Sequence, residues 1–329
     1  MINIAYIFPL WTIILFIFIK GKNSISRKIY VLLSLLPVFY ALVTKKITYD
    51  SDMFRYIMVF NEILKDNSLT DTSFNFDFGF LILYRIVSLI TTNNIGFVVI
   101  FSAIYLYLLA RIIYKRSFFI SYTTIIYICL GFCYYPSNIL RSSLAVMFFA
   151  NTSVLFIQNM IISIFFILVS SFIHASAGIF IISFIVYGHI KKIILLLIPI
   201  STIIFLHYSH YIGGKFFHPA SMGSTFFLGI IYIILSLYCF FNLRKIKTDM
   251  LYAKIYTLFT FLSGVALLLS FKFFIFTRLY ILFSVFIPLF FDMFAMNLKN
   301  NLRIFFISGS LFLYIIYYIF MVYYGNFSL

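Results

Sequence analysis

Residues 142–190 read SSLAVMFFANTSVLFIQNMIISIFFILVSSFIHASAGIFIISFIVYGHI and contain no Asp, Glu, Lys or Arg. A helix at the surface of a water-soluble domain needs a polar face, and this stretch offers none over a length that crosses a bilayer more than once at roughly 20 residues per span. Its solvent is lipid. The pattern recurs from end to end: 64% of residues are hydrophobic, 10% are charged and the mean hydropathy is +1.12, which excludes a water-soluble domain. The chain therefore reads as an all-α, polytopic integral membrane helical bundle, one transmembrane domain over residues 1–329 without internal repeat, linker or soluble domain. Its first apolar run, Ile2 to Ile19, is followed by the basic stretch KGKNSISRK and shows no small-residue cleavage site, so it reads as a retained helix.

Lys and Arg are retained on the cytoplasmic side of short loops, which lets the charges thread the chain. Basic loops fall at Lys20 to Lys28, Lys115 to Arg116, Lys191 to Lys192, Arg244 to Lys247 and Lys299 to Arg303. Placing all five inside gives about twelve spans (11–13), with both termini outside: 3–19, 29–44, 95–113, 119–134, 139–157, 160–174, 176–189, 192–207, 224–243, 250–270, 279–296 and 303–324. Two external loops follow, 45–77 and 208–222, and the segment 78–92 fits only as a re-entrant or interfacial helix. Lys45 and Lys46 break the rule. The spans 160–174 and 176–189 are short for a bilayer core of roughly 30 Å, as expected of a helix broken around His174. The formal charge of +16 lies scattered among short loops and forms no basic stripe, so it marks topology and not a nucleic-acid partner. Cys129, Cys133 and Cys239 all lie in apolar segments and read as buried thiols.

Six of the eight acidic residues, Asp50, Asp52, Glu62, Asp66, Asp71 and Asp77, lie between residues 50 and 77. Glu62, Asp66 and Asp71 suit an ordinary solvated loop. Asp52 and Asp77 each stand at the edge of an apolar helix: DSDMFRYIMVF sets Asp52, Arg55 and Tyr56 on one helical face, and FDFGFLILYRIV sets Asp77 before a helix that carries Arg85. Asp50 and Asp52 also spell D-S-D, a metal-holding pattern in soluble glycosyltransferases, but no α/β domain surrounds it here. Four cations lie within or at the ends of spans: Arg85, Arg141, Lys272 and Arg278. A charge at membrane depth costs roughly 2.5–3.5 kcal/mol, so such residues face a bundle interior or a wet cavity unless they snorkel, which suits Lys272. Arg141 and Arg278 fall at the outer leaflet of this threading, where a planar guanidinium holds a phosphate through two parallel hydrogen bonds.

His174, followed by Ala175, Ser176, Ala177 and Gly178, falls at the same outer level. A histidine inside a bundle often serves as an inter-helix hydrogen bond, yet an imidazole among small residues that admit water also suits proton transfer. His207, His210 and His218 lie in a glycine-rich and aromatic stretch without an acidic ligand, so they read as an interfacial loop and no metal site is expected.

In chain order, SDMFRY, FDFGFLILYRI, NILRSSLAVMFF, SSFIHASAG and FTRLYILF cover most of the chain, from about residue 50 to 285. In this order and spacing the set resembles the EpsG-like, Wzy-type polymerases of bacterial surface polysaccharides. Two positions depart from that family: Asp77 stands where Glu is frequent, and RSS follows where Gln often succeeds the Arg. The resemblance implies a metal-independent membrane glycosyltransferase, without cofactor, in the bacterial cytoplasmic (inner) membrane. It would join undecaprenyl-diphosphate-linked oligosaccharide repeats of an O-antigen, capsule or exopolysaccharide on the periplasmic or exterior face, with a chain-length regulator and a flippase as partners. The implied roles are His174 and Asp52 as proton acceptors, Arg141, Arg278 and Arg55 on the diphosphate, and Tyr56, Asp77, Arg85 and Tyr280 on the sugar or in orienting the others. Tyr134 and Tyr135 are further candidates for stacking on sugar faces. A lipid-linked oligosaccharide flippase, a membrane O-acyltransferase and a lipid-monophosphate-dependent glycosyltransferase are the rivals. The first would carry charges along a central path with internal repetition, the second would draw its donor from the cytoplasmic side, and the third would bring a larger soluble domain.

Overall fold

The computed structural model describes residues 7–19, 24–44, 52–66, 77–131, 140–152, 168–174, 222–243, 246, 250–270 and 274–323. Among them the structure is helical, with no strand. The helices are α1 (Ile7–Phe18), α2 (Ser24–Thr44), α3 (Asp52–Asp66), α4 (Phe78–Ser88), α5 (Asn94–Arg116), α6 (Ile120–Cys129) and α7 (Leu140–Thr152), then α8 (Met222–Phe241), α9 (Met250–Leu269), α10 (Phe274–Ser284), α11 (Ile287–Asn297) and α12 (Asn300–Tyr323). Residues 168–173 form a further helical segment. Five stretches are long and apolar enough to cross a membrane: Ser24–Thr44, Asn94–Arg116, Leu251–Leu269, Leu279–Asn297 and Asn300–Phe320. The expected count of about twelve is not reached among the described residues; the predicted spans 176–189 and 192–207 lie outside them, as do loop 208–222, Cys133, Tyr134, Tyr135, Lys272 and the three histidines of the later loop.

The chain divides into two compact units, residues 1–179 with 304–329, and residues 180–303. In the first, α5 is the hub, packed against α2, α3, α4, α6 and α7, while α1 covers α2 and α6. Pro37 inside α2 cannot donate to the carbonyl of Leu33, a group that lipid cannot satisfy, and the indole Nε1 of Trp11 donates to that oxygen at 2.9 Å. The single tryptophan of the chain thus locks α1 to α2. Gly131, at φ 82°, closes α6 in the left-handed conformation. Much of α12 is exposed, including Phe305 and Phe312, as a lipid-facing helix must be.

In the second unit α9 packs on α8, α10 and α11. A Cβ on Gly264 would fall 2.8 Å from the carbonyl oxygen of Gly229, so the two glycines let α8 and α9 approach closely. The predicted span 279–296 is interrupted at Val285 and Phe286, because Pro288 has no N–H to offer the carbonyl of Ser284. Arg303 donates to the carbonyls of Ala295, Met296 and Leu298 at 3.0–3.1 Å and caps the C-terminus of α11.

Candidate active site

Three helices of the first unit each contribute an aromatic pair at i, i+4: Tyr56 and Phe60 on α3, Phe80 and Tyr84 on α4, Phe97 and Phe101 on α5. Their rings form one cluster, with centroids 4.7–6.3 Å apart from Tyr56 through Phe80 and Tyr84 to Phe97 and Phe101. Tyr56 meets Phe80 and Phe60 meets Tyr84, so α3 and α4 run parallel. Phe80 meets Phe101 while Tyr84 also meets Phe97, so α4 runs antiparallel to α5. The register carries Asp77, just before α4, to about the middle of α5. At 11 residues α4 is about 16 Å long, half of a bilayer core of roughly 30 Å. The expected loop 45–77 thus contains a packed helix, α3, with Val59, Phe60 and Ile63 buried.

Asp77 is the N-cap residue of α4, and its carbonyl accepts from the N–H groups of Phe80 and Leu81. Its carboxylate makes no capping bond to its own helix. Instead Oδ2 accepts from Nη1 of Arg141 at 3.1 Å and lies 3.0 Å from Nδ1 of His174. One oxygen joins residues from α4, α7 and the segment 168–173. The three side chains are 20–23% exposed, sheltered but reachable. Gly79 makes the meeting possible: a Cβ there would fall 2.5 Å from the carbonyl oxygen of Phe172, so only glycine lets α4 lie against the turn that ends at His174. Asp77 stands two residues before Gly79 and His174 two residues after Phe172.

The donor set limits what the group can do. A carboxylate oxygen that takes the guanidinium as donor accepts from the ring as well, so the tautomer that suits this contact has the hydrogen on Nδ1 of His174 and leaves Nε2 as the acceptor nitrogen. A carboxylate that holds an imidazole in one tautomer and orientation is how histidine bases are prepared for proton transfer. Arg141 is the second residue of α7, and the N-termini of α4 and α7 add their positive partial charges beside it, which favours an anion.

The other candidates from the sequence are placed elsewhere. Arg85 does not join Asp77; its Nη1 lies 3.5 Å from the carbonyl oxygen of Ile63 and tends the last turn of α3. Tyr56 is buried in the aromatic cluster while Arg55, its neighbour on α3, is exposed. The side chains of Asp52 and Arg278 lie outside the described residues, although both positions are helical. Tyr280 is buried on α10 in the second unit. Among the described residues no group of three His, Cys, Asp or Glu is placed to hold a metal ion, and Cys129 and Cys239 are buried.

The sequence profile of the EpsG family matches residues 29–328, nearly the whole chain. The chain belongs to the EpsG family. With its apolar helices, that membership makes it a membrane protein of the polysaccharide-polymerase type. Comparison with curated protein sequences and with solved structures returned no match. Within this EpsG-family chain the structure brings Asp77, Arg141 and His174 together, whereas the sequence sets His174 at one level with Arg141, Arg278 and Asp52 and leaves Asp77 at the edge of an apolar helix.

Proposed function

We propose that the chain is a glycosyltransferase that elongates a surface polysaccharide from undecaprenyl-diphosphate-linked repeat units, with His174 as the general base. A hydroxyl of one repeat attacks the anomeric carbon at the reducing end of the growing chain. The bond from that carbon to the diphosphate oxygen breaks, its electron pair leaves with the lipid diphosphate, and the hydroxyl proton passes to Nε2 of His174. Asp77 orients the ring and stabilises the imidazolium that results. Arg141, at a helix N-terminus, offsets the negative charge that grows on the diphosphate.

The observation that carries this reading is the shared acceptor: one carboxylate oxygen of Asp77 ties the guanidinium of Arg141 and the imidazole of His174 into a single unit. The C-terminal end of α5 gives an orientation for the unit. There Nη2 of Arg27 donates to the carbonyl of Ser117 at 2.9 Å, and Lys28 and Lys115 both lie over the ring of Tyr114. The first two basic loops therefore share one end of the unit, the cytoplasmic end by charge bias. From that end the register places Asp77 roughly 15 Å along α5.

Membranes containing the protein, given lipid-linked repeats, should yield a ladder of longer lipid-linked glycans. His174→Ala should slow elongation roughly 10²–10⁴-fold at unchanged membrane abundance. Equal losses of abundance and elongation would make His174 a structural hydrogen bond, and translocation without elongation would favour a flippase.

A further inference from the structure

At the C-terminal end of α5, Lys28, Arg111 and Lys115 line a groove of about 370 Å³ together with Tyr107, Tyr114 and Val31. Two helical stripes face each other across it. Lys28 and Val31 lie three residues apart on α2, and Tyr107, Arg111, Tyr114 and Lys115 follow one face of α5. The lining is mostly apolar, with positive charge gathered at one place: Nζ of Lys28 stands 5.1 Å and Nζ of Lys115 5.7 Å from the centroid of the same Tyr114 ring. Among the described residues no carboxylate pairs with Lys28, Arg111 or Lys115, and Arg111 meets only the side-chain oxygen of Asn151, at 3.4 Å.

Basic residues that set topology need only be at the right side of the membrane; here Lys28 and Lys115 are drawn to one Tyr114 ring beside an apolar trough. Like charges brought together repel, and an anion that settles among them relieves that repulsion more than water alone does. The groove joins an anion-binding rim to a wall of Val31, Tyr107 and the stem of Lys28, which matches a ligand that is charged at one end and apolar along its length. Basic pockets between helices on the cytoplasmic side bind anionic headgroups for the same reason. We propose that this groove is a binding site for an anionic glycerophospholipid, with the phosphodiester among Lys28, Arg111 and Lys115 and an acyl chain against the α2–α5 seam. The site is distinct from the Asp77, Arg141 and His174 unit and does not depend on the role given to it.

The test uses the full chain purified in neutral detergent and titrated, by native mass spectrometry, with phosphatidylglycerol or with phosphatidylcholine of the same acyl chains. Phosphatidylglycerol should bind more tightly, and each cation removed should weaken it about fivefold. The variants are Lys28→Gln with Lys115→Gln, which leaves the Arg111 to Asn151 contact in place, and the same pair with Arg111→Gln. Millimolar inorganic phosphate should not displace the lipid. Equal binding of the two lipids, or unchanged binding in a folded double variant, would overturn the proposal. Displacement by phosphate alone would reduce the groove to an anion site, and tighter binding of an isoprenyl diphosphate would make it a substrate site; either result also overturns it.

Discussion

Two levels of α5 handle positive charge in opposite ways. At its C-terminal end, Lys28, Arg111 and Lys115 stand together, with no carboxylate paired to them among the described residues. Near its middle, Arg141 is bound to Asp77, which His174 also meets. The difference follows from solvation. Cations at the end of a bundle are stabilised by water and headgroups, whereas a guanidinium between helices needs a counter-charge and hydrogen bonds. A neutralised cation inside the bundle is therefore the more informative one, because its partner must be held in place by the fold. Here that partner is delivered by Gly79 and by the aromatic cluster behind α4.

The contrast can be broken by substitution at each level. Asp77→Asn, which keeps shape but removes the acceptor that fixes the His174 tautomer, should lower elongation roughly 10²–10⁴-fold, read as turnover per unit of membrane protein. Arg141→Lys should lower the rate roughly 10²–10³-fold, because an ammonium cannot reproduce the planar fork; normal glycan ladders would remove Arg141 from the chemistry. Gly79→Ala forces a methyl against the backbone of Phe172 and should cost about 1–3 kcal/mol of stability, visible as a lower unfolding temperature in detergent. Arg85→Met should cost only about 0.5–1 kcal/mol, since it removes one long contact to Ile63 and leaves Asp77 untouched. Lys115→Gln, at the other level, should leave elongation within about twofold of the parent and stability within about 0.5 kcal/mol.

How far the sequence could be read follows the same line. In a chain with 10% charged residues, an ionisable side chain within an apolar run is visible at once, which is why Arg141 and His174 stand out, while Asp77 is marked by its place at the edge of an apolar helix. Their shared oxygen was not legible, because sequence order carries no distance between elements 64 and 97 residues apart. The contact of Arg85 was not legible either, since its partner is the backbone carbonyl of Ile63, which leaves no mark in a sequence. The aromatic cluster had a signal, the i, i+4 pairs on α3, α4 and α5, but it was masked by a chain in which 22% of residues are aromatic. The interruption at Val285 is legible in Pro288, which hydropathy alone does not register. Within the segment 45–77, which the charge threading makes an external loop, DSDMFRYIMVF reads as helical, and Tyr56, Phe60 and Ile63 form the face that the structure buries.

The claim that Asp77 acts through His174 is tested most directly by a double-mutant cycle on elongation rate, with Asp77→Asn, His174→Ala and the two combined. If the carboxylate works by orienting the imidazole, the combined variant will be no slower than His174→Ala alone. Losses that multiply, each substitution slowing the reaction by its own full factor in the presence of the other, would contradict the account.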